Sequence, residues 1–341
     1  MRAPIMLNGE PTVWSDGTSF AAVGSGAWLA DNWRFSSAGA VVATVQRSTE
    51  RPAISLGAGL ANYSLHVDVT TADGALAATD QCSLQYWLEG YRALPLLQRV
   101  FTVGFWVRAA KAGVHYLAAR NAAGTQSCVM PYTIATADAW EWHTVTFPAS
   151  ASSSWNTTTS TGLILTWPLA AGSDFLTTAG AWQSSAYLAA SGVVNEVDNA
   201  ANNFYLHGVT IREGYYAEPF MPRPHPEEER DLERYYEVLG GTALQLIGVG
   251  EWISSTQIDV HAVLRAEKRT APTITVGTVG NLVATLDGST IALTGLALQS
   301  TGATRDLLLR GTVSSGGTAG KAGKIMVASG QTEKVYVNAR F

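Results

Sequence analysis

In Phe101-Thr102-Val103-Gly104-Phe105-Trp106-Val107-Arg108, the apolar residues Phe101, Val103, Phe105 and Val107 alternate with Thr102, Gly104, Trp106 and Arg108. A period of two is the signature of a pleated strand with one face buried. The same period runs through Cys82, Leu84, Tyr86 and Leu88, interleaved with Ser83, Gln85, Trp87 and Glu89. It recurs where Tyr63, Leu65, Val67 and Val69 alternate with Ser64, His66, Asp68 and Thr70. Asp73-Gly74, Ala123-Gly124 and Ser191-Gly192 supply turns between such segments. Many short strands with no helical period between them predict a β-sandwich up to about residue 220.

Outward from this region the character changes. Pro222-Arg223-Pro224-His225-Pro226 precedes a stretch in which eight of the 12 residues from Pro226 to Glu237 are charged. Pro226 suits a first helical turn, and Glu227 to Glu229 complement the positive end of the helix dipole. Leu232, Tyr235, Tyr236 and Leu239 follow helical spacing, and Gly240-Gly241 supplies a stop. A helix of that length needs a partner surface. Its charged side reads either as a solvated face or as the outside of an assembly. In the assembly reading, three copies bury Leu232, Tyr235, Tyr236 and Leu239 around an axis. Beyond Gly241, Ile258, Val260 and Ala262 alternate with Asp259 and His261, and Asp287-Gly288 reads as a hairpin turn. The predicted architecture is therefore mainly β, in three parts. A β-sandwich spans 1–221, a Pro-rich linker with a charged helix 222–241, and a small β domain 242–341.

Composition narrows the function classes. Only 14% of the 341 residues are charged and the net charge is −5. Globular proteins average about 25% charged, and duplex nucleic acid calls for clustered Lys and Arg. No nucleic-acid partner is expected. No apolar run of about 18 residues exists, so no membrane insertion is expected either. The start, Met1-Arg2-Ala3-Pro4-Ile5-Met6-Leu7-Asn8-Gly9, turns polar too soon for a secretory leader. Cys82 and Cys128 are the only cysteines, either buried thiols or a single bridge, and neither has a partner at metal-ligand spacing. Glu89 and Glu141 are the candidate carboxylates for glycoside hydrolysis, and nothing in the sequence pairs them. No nucleophile elbow or His-Glu-x-x-His pattern occurs. The expectation is a protein that is not an enzyme and has no cofactor or metal.

Ten of the 11 Trp residues lie between Trp14 and Trp182. If Phe105 and Tyr86 face the core, Trp106 and Arg108 face away, as do Gln85, Trp87 and Glu89. Indoles outside the core beside planar polar groups suit sugar rings, which pair an apolar C–H face with hydroxyls. Gln85, Trp87, Glu89, Trp106 and Arg108 are the expected ligand-binding set. Trp140 and Trp142, which share a strand face, join it. Trp155, in the polar run Ser152 to Thr157, either contacts ligand or plugs the end of the sandwich.

An ordered series of short motifs carries a family resemblance. Asn8-Gly9 precedes Trp14 and Asp31-Asn32-Trp33-Arg34-Phe35. Leu88-Glu89-Gly90, Phe105-Trp106-Val107-Arg108 and Trp140 to Phe147 follow. Leu169-Ala170-Ala171-Gly172, Trp182-Gln183 and Val194-Asn195 continue the series. It ends with Phe204-Tyr205-Leu206-His207-Gly208-Val209, Glu213-Gly214, Pro219-Phe220, Arg223-Pro224, Glu229 and Arg234-Tyr235-Tyr236-Glu237. Over residues 5–238 this order resembles tail- or head-fibre proteins of tailed bacteriophages, whose N-terminal module is similar to carbohydrate-binding-module jelly rolls. The resemblance implies a homotrimeric adhesin on the virion, assembled in the host cytoplasm. Its implied partners are bacterial surface polysaccharide and other virion proteins. A purely structural capsid-decoration or baseplate protein is the alternative, and a glycan depolymerase ranks third. Related modules often hold an Asp in the last strand near a structural calcium. Here His207 occupies that stretch, with Asp198 earlier, which argues against inheriting the site.

Overall fold

The computed structural model describes residues 4–57, 62–152, 154–300 and 302–341. Met1–Ala3, part of the leader reading, and Ser153, in the polar run around Trp155, lie outside the described residues. The chain forms two compact units, Met1–Glu228 with Phe341, and Glu229–Arg340.

In the first unit the alternating stretches all become strands. They are β1 (Ser19–Phe20), β2 (Trp33–Ala38), β3 (Val42–Ser48), β4 (Ser64–Thr71), β5 (Gln81–Glu89) and, after the single-turn α1 (Gly90–Ala93), β6 (Phe101–Ala109). Then come β7 (Gly113–Arg120), β8 (Ser127–Ile134), β9 (Glu141–Phe147), β10 (Thr161–Ala171), β11 (Trp182–Gln183) and β12 (Asn203–Glu213). They pair into two six-stranded sheets, ordered β1-β3-β4-β12-β6-β9 and β11-β8-β7-β10-β5-β2. Neighbouring strands in both sheets pair antiparallel, and the unit is a jelly-roll β-sandwich.

Between the sheets lies an aromatic cluster. Trp33 meets Tyr86 at 5.2 Å and Trp167 at 5.5 Å between ring centroids, and Phe105 from the other sheet meets Trp167 edge-on at 5.7 Å. The buried Trp33 donates Nε1–H to the Asn8 carbonyl at 2.9 Å, which anchors the N-terminal segment. Trp155 packs against this core and against Trp182, with ring centroids 5.2 Å apart, so it acts as a plug. Cys82 and Cys128 are both free and buried, and burial pushes each thiol up to about 12.

The second unit follows α2 (His225–Leu232) and holds β13 (Tyr236–Gly240), β14 (Leu246–Trp252), β15 (Gln257–Val263), β16 (Thr273–Val276) and β17 (Leu282–Leu286). β18 (Ser289–Ala292), β19 (Gly295–Leu298), β20 (Asp306–Thr312), β21 (Ala322–Val327) and β22 (Lys334–Asn338) complete it. A three-stranded sheet, β13-β22-β16, accompanies a seven-stranded one, β18-β17-β21-β14-β15-β20-β19. The Asp287-Gly288 turn forms as read, with both residues at positive φ and Leu286 opposite Ser289.

The charged segment departs from its expected form. Helix ends at Leu232, and Tyr236-Glu237-Val238-Leu239-Gly240 pairs with β22 instead. Pairing with a distant strand overrides the helical spacing. The residues assigned to a three-copy axis are consumed within the chain. Leu232, Tyr235 and Tyr236 are buried, and Leu239 packs against the second core. Tyr236 lies between Tyr336 and the Arg340 guanidinium, 3.6 Å from its ring centroid. Nor is the charge run a solvated face throughout. Glu237 accepts from the fully buried Lys268 ammonium at 2.6 Å and from the Arg265 amide at 3.0 Å, and Glu233 accepts from the Arg265 guanidinium at 2.5 Å.

Removing one partner of a buried ion pair strands the other charge, which costs about 3–5 kcal/mol. Lys268→Met should lower the unfolding free energy by that order in a denaturant titration, and Lys268→Met with Glu237→Leu should recover much of it.

At one end of the first core, His115 (β7) stands 3.5 Å from Glu196, both buried. Burial holds the Glu196 carboxyl up at about 8 and the His115 imidazole down at about 4. A carboxyl whose folded pKa is raised favours folding below its unfolded pKa and loses that contribution as pH rises towards 8. The imidazole, lowered on folding, loses its contribution as pH falls from about 6.5 towards 4. Glu196→Gln removes only the first dependence. It should raise stability by about 1 kcal/mol or more at pH 8 and bring little gain at pH 4.5, as read from melting curves at both values.

Candidate functional site

Parity places the candidate residues. In β5, Cys82, Leu84, Tyr86 and Leu88 enter the core, so Ser83, Gln85 and Trp87 face outward. Neighbouring strands present Arg34 and Ser36 (β2), Ile164 and Thr166 (β10), and Ala118 and Arg120 (β7) on the same outer surface. Register aligns them across the sheet. Arg120 and Trp87 both pair with Ile164, while Thr166 lies between Ala118 and Gln85, and Gln85 pairs with Arg34.

Along β5 this surface carries a continuous polar ladder. Trp87 Nε1 donates to Gln85 Oε1 at 3.1 Å, Ser83 Oγ donates to Gln81 Oε1 at 3.1 Å, and Gln81 Nε2 donates to Ser36 Oγ at 2.8 Å. Gln85 and Ser83 are buried although they face away from the core. The surface is walled on one side by the segment around Phe175–Val193, which packs on Tyr116, Ala118 and Val129. On the other side the half-buried Trp28 meets Trp87 edge-on at 5.9 Å. The Arg34 guanidinium lies over both indoles, 4.9 Å from Trp87 and 5.6 Å from Trp28, and its Nε donates to the Gly26 carbonyl at 2.8 Å. The Phe341 ring, grouped with this unit, lies 6.1 Å from Trp87. An indole flanked by a guanidinium, an amide and hydroxyls can stack a ring and hydrogen-bond its substituents.

The single platform expected from the sequence divides in two. β6 belongs to the opposite sheet from β5, so Trp106 lies on the other side of the sandwich from Trp87. There Trp106 packs on Trp142 at 5.7 Å, and Trp140 packs on Tyr205 and His207 at 5.9 and 6.0 Å. Trp106 does face away from the core, but it is only 7% exposed. The chain leaving β12 covers this region. A side chain at Gly104 would meet the Trp142 ring at 2.6 Å and Ala217 at 3.0 Å. Gly208 makes the bend, at φ +58° within a β12 bulge, with Phe220 over it. Arg108 is partly used as well, 3.3 Å from Glu50 and stacked over Tyr205 at 5.0 Å. Glu89, at the end of β5, is 2% exposed. The carboxylates considered for hydrolysis lie on different sheets, and Glu141 accepts from the Ala135 and Thr136 amides and pairs with His143.

Of the expected set, Gln85, Trp87 and, at the end of the strand, the buried Glu89 lie on the outward side of β5. Trp28, Arg34, Arg120 and Thr166 join them and were missed. Arg34 was legible in principle, since Trp33 and Phe35 flank it as core residues. Arg120 carried no such signal, because only the β7–β10 register brings it to Trp87. No group of three or more potential metal ligands occurs among the described residues.

No family model and no curated protein matches the chain. Among solved structures it is similar to the enzymatically active domain of bacteriophage CBA120 tailspike protein 4. That match has 13% identity and a TM-score of 0.32, covering 57% of this chain and 21% of that one, so the chain spans about a fifth of the tailspike structure. It is also similar to the family 11 carbohydrate-binding module of Clostridium thermocellum Lic26A-Cel5E, at 10% identity and TM-score 0.30, covering 60% of this chain and 99% of that one. TmCBM61, solved with β-1,4-galactotriose, matches at 14% identity and TM-score 0.27 over 53% of this chain and 88% of that one. All three likenesses are weak in identity and in superposition.

The two indole groups should respond differently to truncation. Trp106→Ala, a buried deletion, should cost about 3–5 kcal/mol in chemical denaturation. Trp87→Ala should cost less than that, because its ring is partly exposed and lies outside the core.

Proposed function

We propose that this chain is a non-enzymatic glycan-binding protein of a bacteriophage particle. Its site is the outer surface of the β11-β8-β7-β10-β5-β2 sheet. The observation that carries the reading is Trp87: a partly exposed indole whose N–H is held by Gln85 and whose surroundings are Trp28, Arg34 and a ladder of hydroxyl and amide groups. A pyranose places its C–H face on such an indole, and its hydroxyls find planar donors and acceptors beside it. The low charge of the chain fits surfaces made for hydroxyl-rich partners. The particle role rests on the collinear fibre motifs. On a fibre, several copies would sum weak individual contacts, and linked sites can gain about 10²–10⁴ in avidity.

The alternative of a purely structural particle protein draws on one observation: Tyr215, Tyr216 and Met221 stand exposed in the segment that follows β12. A glycan array separates the readings. The intact protein should bind a subset of bacterial surface polysaccharides, and Trp87→Ala should weaken that binding by about 30-fold or more, as for a Trp hot spot, with its melting curve retained. Binding that survives Trp87→Ala but is lost in Tyr215→Ala/Tyr216→Ala would overturn the assignment of the site.

A further inference from the structure

We propose that this surface selects acidic glycans, those whose sugars carry a carboxylate, by holding that group with Arg34 and Arg120. The inference rests on the glycan-binding reading and adds the ligand's charge. It runs against the first impression from composition, which points to neutral partners.

Across the registered rows stand Arg120, Ile164 and Trp87, then Ala118, Thr166, Gln85 and Arg34, then Pro168, Ser83 and Ser36. None of these carries a carboxylate. Arg120 Nε is sealed from solvent and makes no hydrogen bond, and Thr166 Oγ1 is in the same condition. Arg34 spends its Nε on the Gly26 carbonyl and lays its plane over Trp28 and Trp87. Several other arginines of the chain pair with carboxylates. Arg310 is bidentate on Asp259, while Arg265 meets Glu233, Arg223 meets Glu228 and Arg108 meets Glu50. Glu89, two residues beyond Trp87 on the same side of β5, is 2% exposed.

Electrostatics agrees with the geometry. Burial lowers both arginines from the usual range, Arg120 to about 10, and at Arg120 the nearby Arg34 charge adds to the effect. Each cation is poorly solvated and repels the other. A ligand anion placed between them relieves both penalties at once, where a neutral sugar relieves neither. A guanidinium fork matches a carboxylate by two parallel hydrogen bonds, and the fixed stacking of Arg34 on the indoles lowers the entropy of forming them. Trp87 then holds the ring of the same sugar, so charge and stacking select together.

The test uses the intact protein with polygalacturonate, alginate and hyaluronan, each beside its carboxyl-reduced form, and with dextran sulfate. Calorimetry should give at least tenfold tighter binding to one or more acidic polymers than to the matching reduced polymer, with the difference shrinking as salt rises. Arg120→Met and Arg34→Gln, checked for retained melting curves, should each cut the acid-to-reduced affinity ratio at least fivefold. Equal binding of acidic and reduced forms overturns the inference and leaves the glycan site standing. Preference for dextran sulfate over every carboxylated polymer overturns the carboxylate assignment. A ratio unchanged in both variants shows that these arginines do not set it. Binding to none of the polymers counts against the acidic preference and the glycan reading together.

Discussion

The outer face of the β5 sheet is set by the indole pair Trp33 and Trp167, packed with ring centroids 5.5 Å apart between the sheets with Tyr86 and Phe105 against them. Once they point inward, the period of two leaves no freedom. Arg34 beside Trp33, Thr166 beside Trp167, and Gln85 and Trp87 flanking Tyr86 must all point outward. A slip of one residue in any of these strands would bury Arg34 or Trp87's ladder and expose an indole. The binding surface is thus the reverse side of the core, and its composition follows from packing.

The opposite sheet shows why facing outward is not the same as being available. Trp106, Trp140, Trp142, Tyr205 and His207 form an aromatic surface as extensive as that around Trp87. The chain leaving β12 turns at Gly208 and lays Ala217 and Phe220 across part of it. Trp106, Tyr205 and His207 are buried there and contribute to stability, while Trp140 and Trp142 stay partly exposed. On the β5 side Trp87, Arg34 and Arg120 stay partly exposed, above the buried Ser83, Gln85, Ile164 and Thr166.

Much of this was legible in the sequence. The alternation in β4, β5 and β6 identified strands and their inward faces, and Asp287-Gly288 identified its hairpin. Which sheet a strand joins was not legible, because alternation is a local property. β5 and β6 follow one another in the chain, yet the connection through α1 carries the chain from one sheet to the other. That crossover separated Trp87 from Trp106. The spacing of Leu232, Tyr235, Tyr236 and Leu239 was also real, but the backbone from Tyr236 to Gly240 gains a full ladder with β22, and Glu233 and Glu237 gain Arg265 and Lys268. No local reading contains those long-range partners. Arg120 illustrates the same limit: its significance lies in what stands opposite it, three strands away from Arg34.

The most direct measurement follows the indole N–H signals of the intact protein, assigned through single Trp→Phe variants, during titration with a bound polysaccharide fragment. The account predicts progressive shifts for Trp87 and Trp28, with Trp106, Trp140 and Trp142 unmoved. Shifts confined to Trp106, Trp140 and Trp142 would place the ligand on the opposite sheet and contradict the account.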